Sequence, residues 1–284
     1  MTLQIVTWFL KKSVDNPLAV SLNKIENADL KILMVFNKIS DFRHEIYDGF
    51  LLQIGDKASV DLYIHSISNH NVQHFGEIIR EKMNAYDYFA IVLHATHLNE
   101  DILKVVNSIP KEKLLVLDKR NEFIRGNYAC VYQDFEADIY EALLKANSLI
   151  MKYKTLNFVI QEKYFYSLAI MEGVIRFALE KNLKYNIYTK VEAEFIRKNE
   201  AYLILSERFL AEILKLCSAQ NLKIGLDVGI LSYHEKPVKE VLSGGITVVT
   251  TDHFQLGKTA ADLILNGKKE HIRNPFLFIQ RNSL

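Results

Sequence analysis

The chain has little that would tie it to a covalent framework, a membrane or a strong electric field. Its 284 residues include only two cysteines, Cys130 and Cys217, which rules out a disulfide scaffold and fits a reducing compartment. A formal net charge of +1 gives no global attraction for nucleic acid or for an anionic surface. Only four prolines and one tryptophan occur, so a proline-rich linker is excluded. No apolar run approaches the roughly 18 residues that a membrane-spanning helix needs. The start, MTLQIVTWFLKK, is interrupted by Gln4 and Thr7, and its lysines follow the apolar stretch. An export signal has the reverse order. The expectation is a cytoplasmic protein without a membrane partner.

What is present is an alternation. Short runs rich in Val, Ile, Leu and aromatics occupy 31–36, 60–65, 88–94, 114–118, 128–133, 156–161, 184–189, 201–206, 228–233, 247–252 and 276–281. Near-continuous apolar runs of this length suit strands buried on both faces of a parallel sheet. Amphipathic stretches at 43–55, 71–85, 99–107, 136–153, 165–181, 207–220 and 253–266 fill the gaps. The chain therefore predicts α/β architecture with too many strands for one sheet of usual size. A break near 153–156 divides it into two. Residues 1–29 do not follow the rhythm and are expected to form an appendage or linker.

The stretch TTDHFQLGKTAADLIL, residues 250–265, ends its middle on Gly257-Lys258-Thr259, the close of a phosphate-binding loop. Such a loop needs a glycine five positions before the Gly-Lys pair, and Asp252 stands there. A carboxylate repels phosphate where glycine would let backbone N–H groups approach it. Asp252 and Gln255 instead have capping-box spacing, and Leu256, Ala260, Leu263 and Ile264 recur with a helical period. The triplet is expected inside a helix.

Ligands of open α/β sheets bind beyond the carboxyl ends of strands. Those ends carry Asn37, His94, Asp118-Lys119, Gln133-Asp134, Arg208, Tyr233-His234 and Asp252-His253. Asp, Asn, Gln, His and Arg suit the donors and acceptors of a sugar's hydroxyls. Aromatic faces such as Phe42 and Tyr233 suit the apolar face of its ring. The candidate ligand contacts are Asn37, Phe42, Arg43, His94, Gln133, Asp134, Tyr164, Arg208, Tyr233, His234 and Asp252, although Tyr164 fits core packing equally well. Asp134 and Asp252 both precede helices, so capping is an equal reading of each. Lys119-Arg120 reads as a solvated turn. His94 and His97 lack the other ligands of a metal spacing, and no cofactor motif occurs.

The strings "LKIGLDVGILSYHEKPVKEVLSGGITVVTTDHFQLGKTAADLIL" and "NPFLFIQRNSL" resemble the effector domain of the lactose- and galactose-repressor family. "FNKIS", "LLVLDK", "VYQDFEADIYEAL", "GKTAADLILN" and "IRNPFLFIQRNSL" extend the likeness over most of the chain. They look most like GntR-type transcriptional regulators with this periplasmic-binding-protein-like domain. The resemblance implies two Rossmann-like lobes with parallel sheets, joined by three crossings, with a sugar-sized effector between them. Lobe one is expected at 30–153 plus 252–268, and lobe two at 154–251 plus 269–284. A homodimer is implied, with DNA reached only through a winged helix-turn-helix expected to be absent from this chain. The family's Asn-Asp pair is replaced at Ser206-Glu207-Arg208, and His234 replaces an acid, so the particular sugar is not inherited. An enzyme on the same frame lacks a Ser-His-Asp order, a carboxylate pair or a Gly-rich cofactor turn. A stand-alone solute binder lacks its export signal.

Overall fold

A computed structural model describes residues 19–23, 28–64, 72–93, 100–160 and 166–284. It divides into two compact units: one of residues 1–133 and 253–274, the other of 134–252 and 275–284. The chain thus passes from one to the other three times.

Unit 1 contains β1 (Ala19–Asn23), β2 (Leu30–Phe36), α1 (Asp41–Ile54), β3 (Ala58–Ile64), α2 (Val72–Lys82), β4 (Tyr88–Val92), α3 (Glu100–Ser108), β5 (Leu114–Asp118) and β6 (Ala129–Tyr132). Unit 2 takes over with α4 (Phe135–Lys145), α5 (Asn147–Ile150), β7 (Thr155–Val159), α6 (Tyr166–Glu180), β8 (Lys184–Tyr188), β9 (Glu200–Ile204), α7 (Glu207–Ala219), β10 (Val228–Tyr233), α8 (Val238–Val241) and β11 (Thr247–Thr251). The chain returns to unit 1 for α9 (His253–Leu265) and β12 (His271–Arg273), and ends in unit 2 with β13 (Phe276–Ile279).

The unit 1 sheet runs β1-β3-β2-β4-β5-β6-β12, parallel except for β1. Alternation along β2 decides its two layers. Ile32, Met34 and Phe36 pack with Ile46 and Phe50 of α1 and Leu256 and Ile264 of α9. Leu33 and Val35 face Phe75 and Ile79 of α2 and Ile102 and Val106 of α3. The unit 2 sheet runs β13-β11-β10-β9-β7-β8, parallel except for β13. Leu156 and Phe158 meet α4 and α6 through Ile139, Leu143, Val174 and Phe177. Tyr202 and Ile230 meet α7 through Phe209, Ile213 and Cys217.

In each sheet the earliest parallel strand lies inside, with its successors to either side. β2 has β3 on one flank and β4 on the other; β7 has β8 and β9. The direction of winding therefore reverses between β2 and β4, and between β7 and β9. Crevices for ligands open at such reversals.

Three expectations change. The unit border falls at Gln133/Asp134 rather than at 153/154. Periodicity identifies a helix at 136–153 but not the sheet it lands on, and its apolar stripe lands on β7. Residues 269–274 belong to unit 1, because β12 pairs with β6. Residues 19–23, expected within an appendage, form an edge strand antiparallel to β3. Its sequence, AVSLN, is not the continuous apolar run that marks most of the other strands.

The Gly257-Lys258-Thr259 triplet lies within α9. A side chain at Gly257 would place its Cβ 2.0 Å from the Ile46 carbonyl oxygen, and one at Gly49 would meet the Phe254 carbonyl oxygen at 2.1 Å. The two helices touch backbone to backbone there, so Gly257 serves helix packing.

Candidate functional site at the carboxyl ends of the strands

In unit 1 the site is built around Asp118. This residue ends the otherwise apolar strand β5 and is itself buried, with φ at 77°. An Asp in the left-handed region is uncommon and needs its surroundings to hold it. Arg43 Nη2 donates to Oδ2 at 2.8 Å, the Gln133 side-chain amide donates to Oδ1, and Gln133 N donates to the Asp118 carbonyl at 3.1 Å. The side chains of Arg43 and Asp118 are only 7% and 10% exposed. Breaking such a buried pair from one side costs about 3–5 kcal/mol, because the remaining charge is stranded.

Arg43 sits in the first turn of α1, whose N-cap Ser40 accepts from Arg43 N at 3.4 Å. A cation at the positive end of a helix dipole is disfavoured. Asp118 supplies the compensating charge. Beside it, Phe42 and His253, the first residue of α9, stack with ring centroids 4.7 Å apart and planes at 18°. His253 Nδ1 lies 3.6 Å from Glu45 Oε2. Asn37 follows β2, half-buried, and its Oδ1 has no hydrogen-bond donor among the described residues. Lys119 is half-buried, and desolvation holds its ammonium below the usual lysine range against the pull of Asp118. Arg120 is exposed and stands 5.1 Å from the Tyr132 ring.

Of the sequence candidates, Asn37, Phe42, Arg43 and Gln133 thus all lie in unit 1 at the ends of β2 and β6 and the start of α1. Arg43 and Gln133 meet on one carboxylate. Two participants were outside the candidate set, Asp118 and His253. The signal for Asp118 was an acid closing an otherwise apolar run, LLVLD.

In unit 2 the candidates are more dispersed. Asp134 Oδ1 accepts from Ala137 N at 3.2 Å and caps α4. Arg208 is 77% exposed and donates to Glu212 one turn along α7, at 2.9 Å. Tyr233 is buried, with its ring 5.6 Å from Phe276 and edge-on to His234 at 4.7 Å. His234 turns the chain with φ at 67°, and its N–H donates to the Val249 carbonyl at 2.8 Å. The turn is held by Lys239, 1% exposed, whose Nζ donates to the carbonyls of Tyr233 at 2.9 Å and His234 at 2.7 Å. Glu207 Oε1 is 3.7 Å from the same ammonium. Asp252 joins β11 to α9, and its N–H donates to the Pro275 carbonyl at 3.1 Å. His94 and Tyr164 lie outside the described residues.

Burial pushes the Cys130 thiol up to about 12 and that of Cys217 to about 11, which keeps both as unreactive thiols at neutral pH. Among the described residues no three His, Cys, Asp or Glu side chains gather as a metal would require. No helix among them is long and apolar enough to cross a membrane.

No protein-family model matches the chain. No curated protein matches it in sequence. Solved structures do match in fold. A transcription-regulator-like protein from Staphylococcus haemolyticus superposes with a TM-score of 0.69 at 15% identity, covering 90% of this chain and 98% of that one. The trehalose repressor of Escherichia coli gives 0.68 at 13% identity, covering 89% and 100%. A LacI-family regulator from Enterococcus faecium, solved with bound ribose, gives 0.65 at 18% identity, covering 89% and 98%. Three of the neighbours carry the LacI family in their names, which does not support the GntR type expected from the sequence strings. The chain has the two-unit α/β fold of these structures, which a periplasmic-binding-type ribose operon repressor from Lactobacillus acidophilus also shares.

Proposed function

We propose that this chain is the ligand-sensing effector domain of a bacterial transcriptional regulator. It binds a small sugar or sugar-like metabolite and does not transform it. The observation that supports this most is the set on unit 1: a buried Arg43–Asp118–Gln133 hydrogen-bonded group beside the stacked Phe42 and His253 rings. Fixed donors and acceptors suit hydroxyl groups, and an aromatic face suits the C–H side of a sugar ring. The sugar bound to one structural neighbour supports the same class of ligand. The regulator works in the cytoplasm as a homodimer and reaches DNA through a reader head. The lobe-one helices supply much of its dimer contact. Whether that head is of GntR or LacI type does not alter the reading of the effector domain.

A thermal-shift screen of the purified chain against pentoses, hexoses and disaccharides tests the proposal. The expected outcome is a concentration-dependent rise in melting temperature with one of them, the sugar being recovered unchanged. If the folded protein is stabilised by none of these, or converts the sugar that it binds, the proposal fails.

A further inference from the structure

We infer that the effector is an uncharged polyol, and that phosphorylated and carboxylated sugars are rejected by the way unit 1 disposes of its own charge. The inference deepens the sugar-sensing reading and rests on it.

Arg43 is the residue that would otherwise recognise an acid. A guanidinium at a helix N-terminus, with the dipole behind it, is an obvious docking point for a phosphate or carboxylate. Here the guanidinium is already engaged from within the chain through Nη2, while its buried Nε has no acceptor among the described residues. Asp118 Oδ2 sits at 2.8 Å, and both side chains are nearly out of solvent. The Gln133 amide satisfies the other carboxylate oxygen. An incoming anion must therefore approach a second, fixed anion that is little screened by water. A neutral hydroxyl meets no such penalty, because it donates to a carboxylate as readily as it accepts from an N–H.

The other cations at the strand ends do not restore a dry anion site: Lys38 and Arg120 are exposed. Lys119 is half-buried, and the Asp118 carboxylate already answers part of its charge. In unit 2, considered by itself, Lys239 is consumed by two carbonyls and is wholly buried. Arg208 is exposed, and its pair with Glu212 is the weak surface kind, so it supplies no dry, fixed charge.

The test is a calorimetric comparison of neutral sugars with their own 6-phosphates and uronic acids, on the wild-type chain and on Asp118→Asn. The wild type is expected to bind a neutral member at least about tenfold more tightly than either acidic counterpart. Affinity for the neutral sugar should stay flat as salt is raised, since no charge is screened on binding. Asp118→Asn keeps the shape but leaves Arg43 uncompensated, so the acidic counterpart should gain about tenfold relative to the neutral one. A wild type that prefers the phosphate or the uronic acid overturns the inference and leaves the sugar-sensing reading standing. A folded wild type that binds no member of either set overturns both. A folded Asp118→Asn without the shift toward acids also overturns the inference. If that variant does not fold, the wild-type ranking and its salt dependence decide alone, and a neutral sugar whose affinity falls steeply with salt counts against the inference.

Discussion

The two units share one architecture and spend their buried cations in different ways. In unit 1, Arg43 is paired with a side chain, Asp118, at a strand end, and the pair shares Gln133. In unit 2, Lys239 is paired mainly with main-chain carbonyls, those of Tyr233 and His234. The first arrangement displays polar side chains around a fixed charge pair. The second pins a turn in place. A planar guanidinium can engage a carboxylate and still present further donors, whereas an ammonium is a compact point charge well suited to gathering carbonyl oxygens. The same fold thus holds a side-chain charge pair in one unit and a main-chain brace in the other.

Breaking the pair in unit 1 has the largest expected effect. Arg43→Ala strands a buried Asp118 and should lower stability by about 3–5 kcal/mol in denaturant melts. The change should also abolish sugar-dependent stabilisation. If the variant is as stable as the parent, Asp118 is not held as described.

Breaking the brace in unit 2 comes next. Lys239→Met keeps the length of the side chain but leaves the carbonyls of Tyr233 and His234 without their donor. Charge-assisted bonds are each worth about 1.5–3 kcal/mol. Part of this is returned, because an ammonium no longer has to be desolvated, so a net loss of about 2 kcal/mol is expected. Unchanged stability would mean that the turn holds itself.

Alkaline pH sharpens the comparison through sign. In unit 1, burial pushes Tyr47, Tyr63 and Tyr128 up to about 12. Unfolded tyrosines ionise near 10. Between about 10 and 12 the unfolded chain therefore holds fewer protons than the folded one, and stability falls as pH rises. Lys239 acts in the opposite sense. Desolvation lowers its value, so its cost is fully present at neutral pH and is relieved as pH rises through that lowered value. Lys111 and Lys119 act in the same sense as Lys239, and Tyr86 and Tyr202 add to the tyrosines, so the net alkaline slope should be negative. The Tyr47 hydroxyl is buried and has no hydrogen-bond partner among the described residues. Tyr47→Phe should therefore be close to neutral at pH 7 and should flatten the alkaline loss, as read by melts across that range.

The smallest effect expected is at Asp134. Asp134→Ala removes the cap of α4 and should cost about 0.5–2 kcal/mol without changing sugar affinity. A loss of affinity would make Asp134 a ligand contact as well.

The fold was legible because its strands are long apolar runs and its helices have clean stripes. The places where sequence reading stopped share a physical cause. α4 has a clear period, but a stripe does not name its partner sheet, so the unit border was set twenty residues late. β1, AVSLN, is not a continuous apolar run, and β12 has only three residues. In the site, Arg43 and Gln133 could be named from residue type and position. Asp118 could not be assigned a role, because a carboxylate at a strand end reads the same whether it faces water or a buried guanidinium 75 positions earlier. Tyr233 and Arg208 differ in a way that residue type does not show: one polar-tipped ring is buried in the core, and one cation lies out on the surface.

The most direct measurement is a calorimetric titration of the best neutral sugar into the wild type, Gln133→Ala and Arg208→Ala. Gln133→Ala removes an amide from the unit 1 edge, and Arg208→Ala removes an exposed cation of unit 2. The account predicts binding by the wild type, about tenfold weaker binding by Gln133→Ala and unchanged binding by Arg208→Ala. Full affinity in Gln133→Ala together with loss of affinity in Arg208→Ala would contradict it.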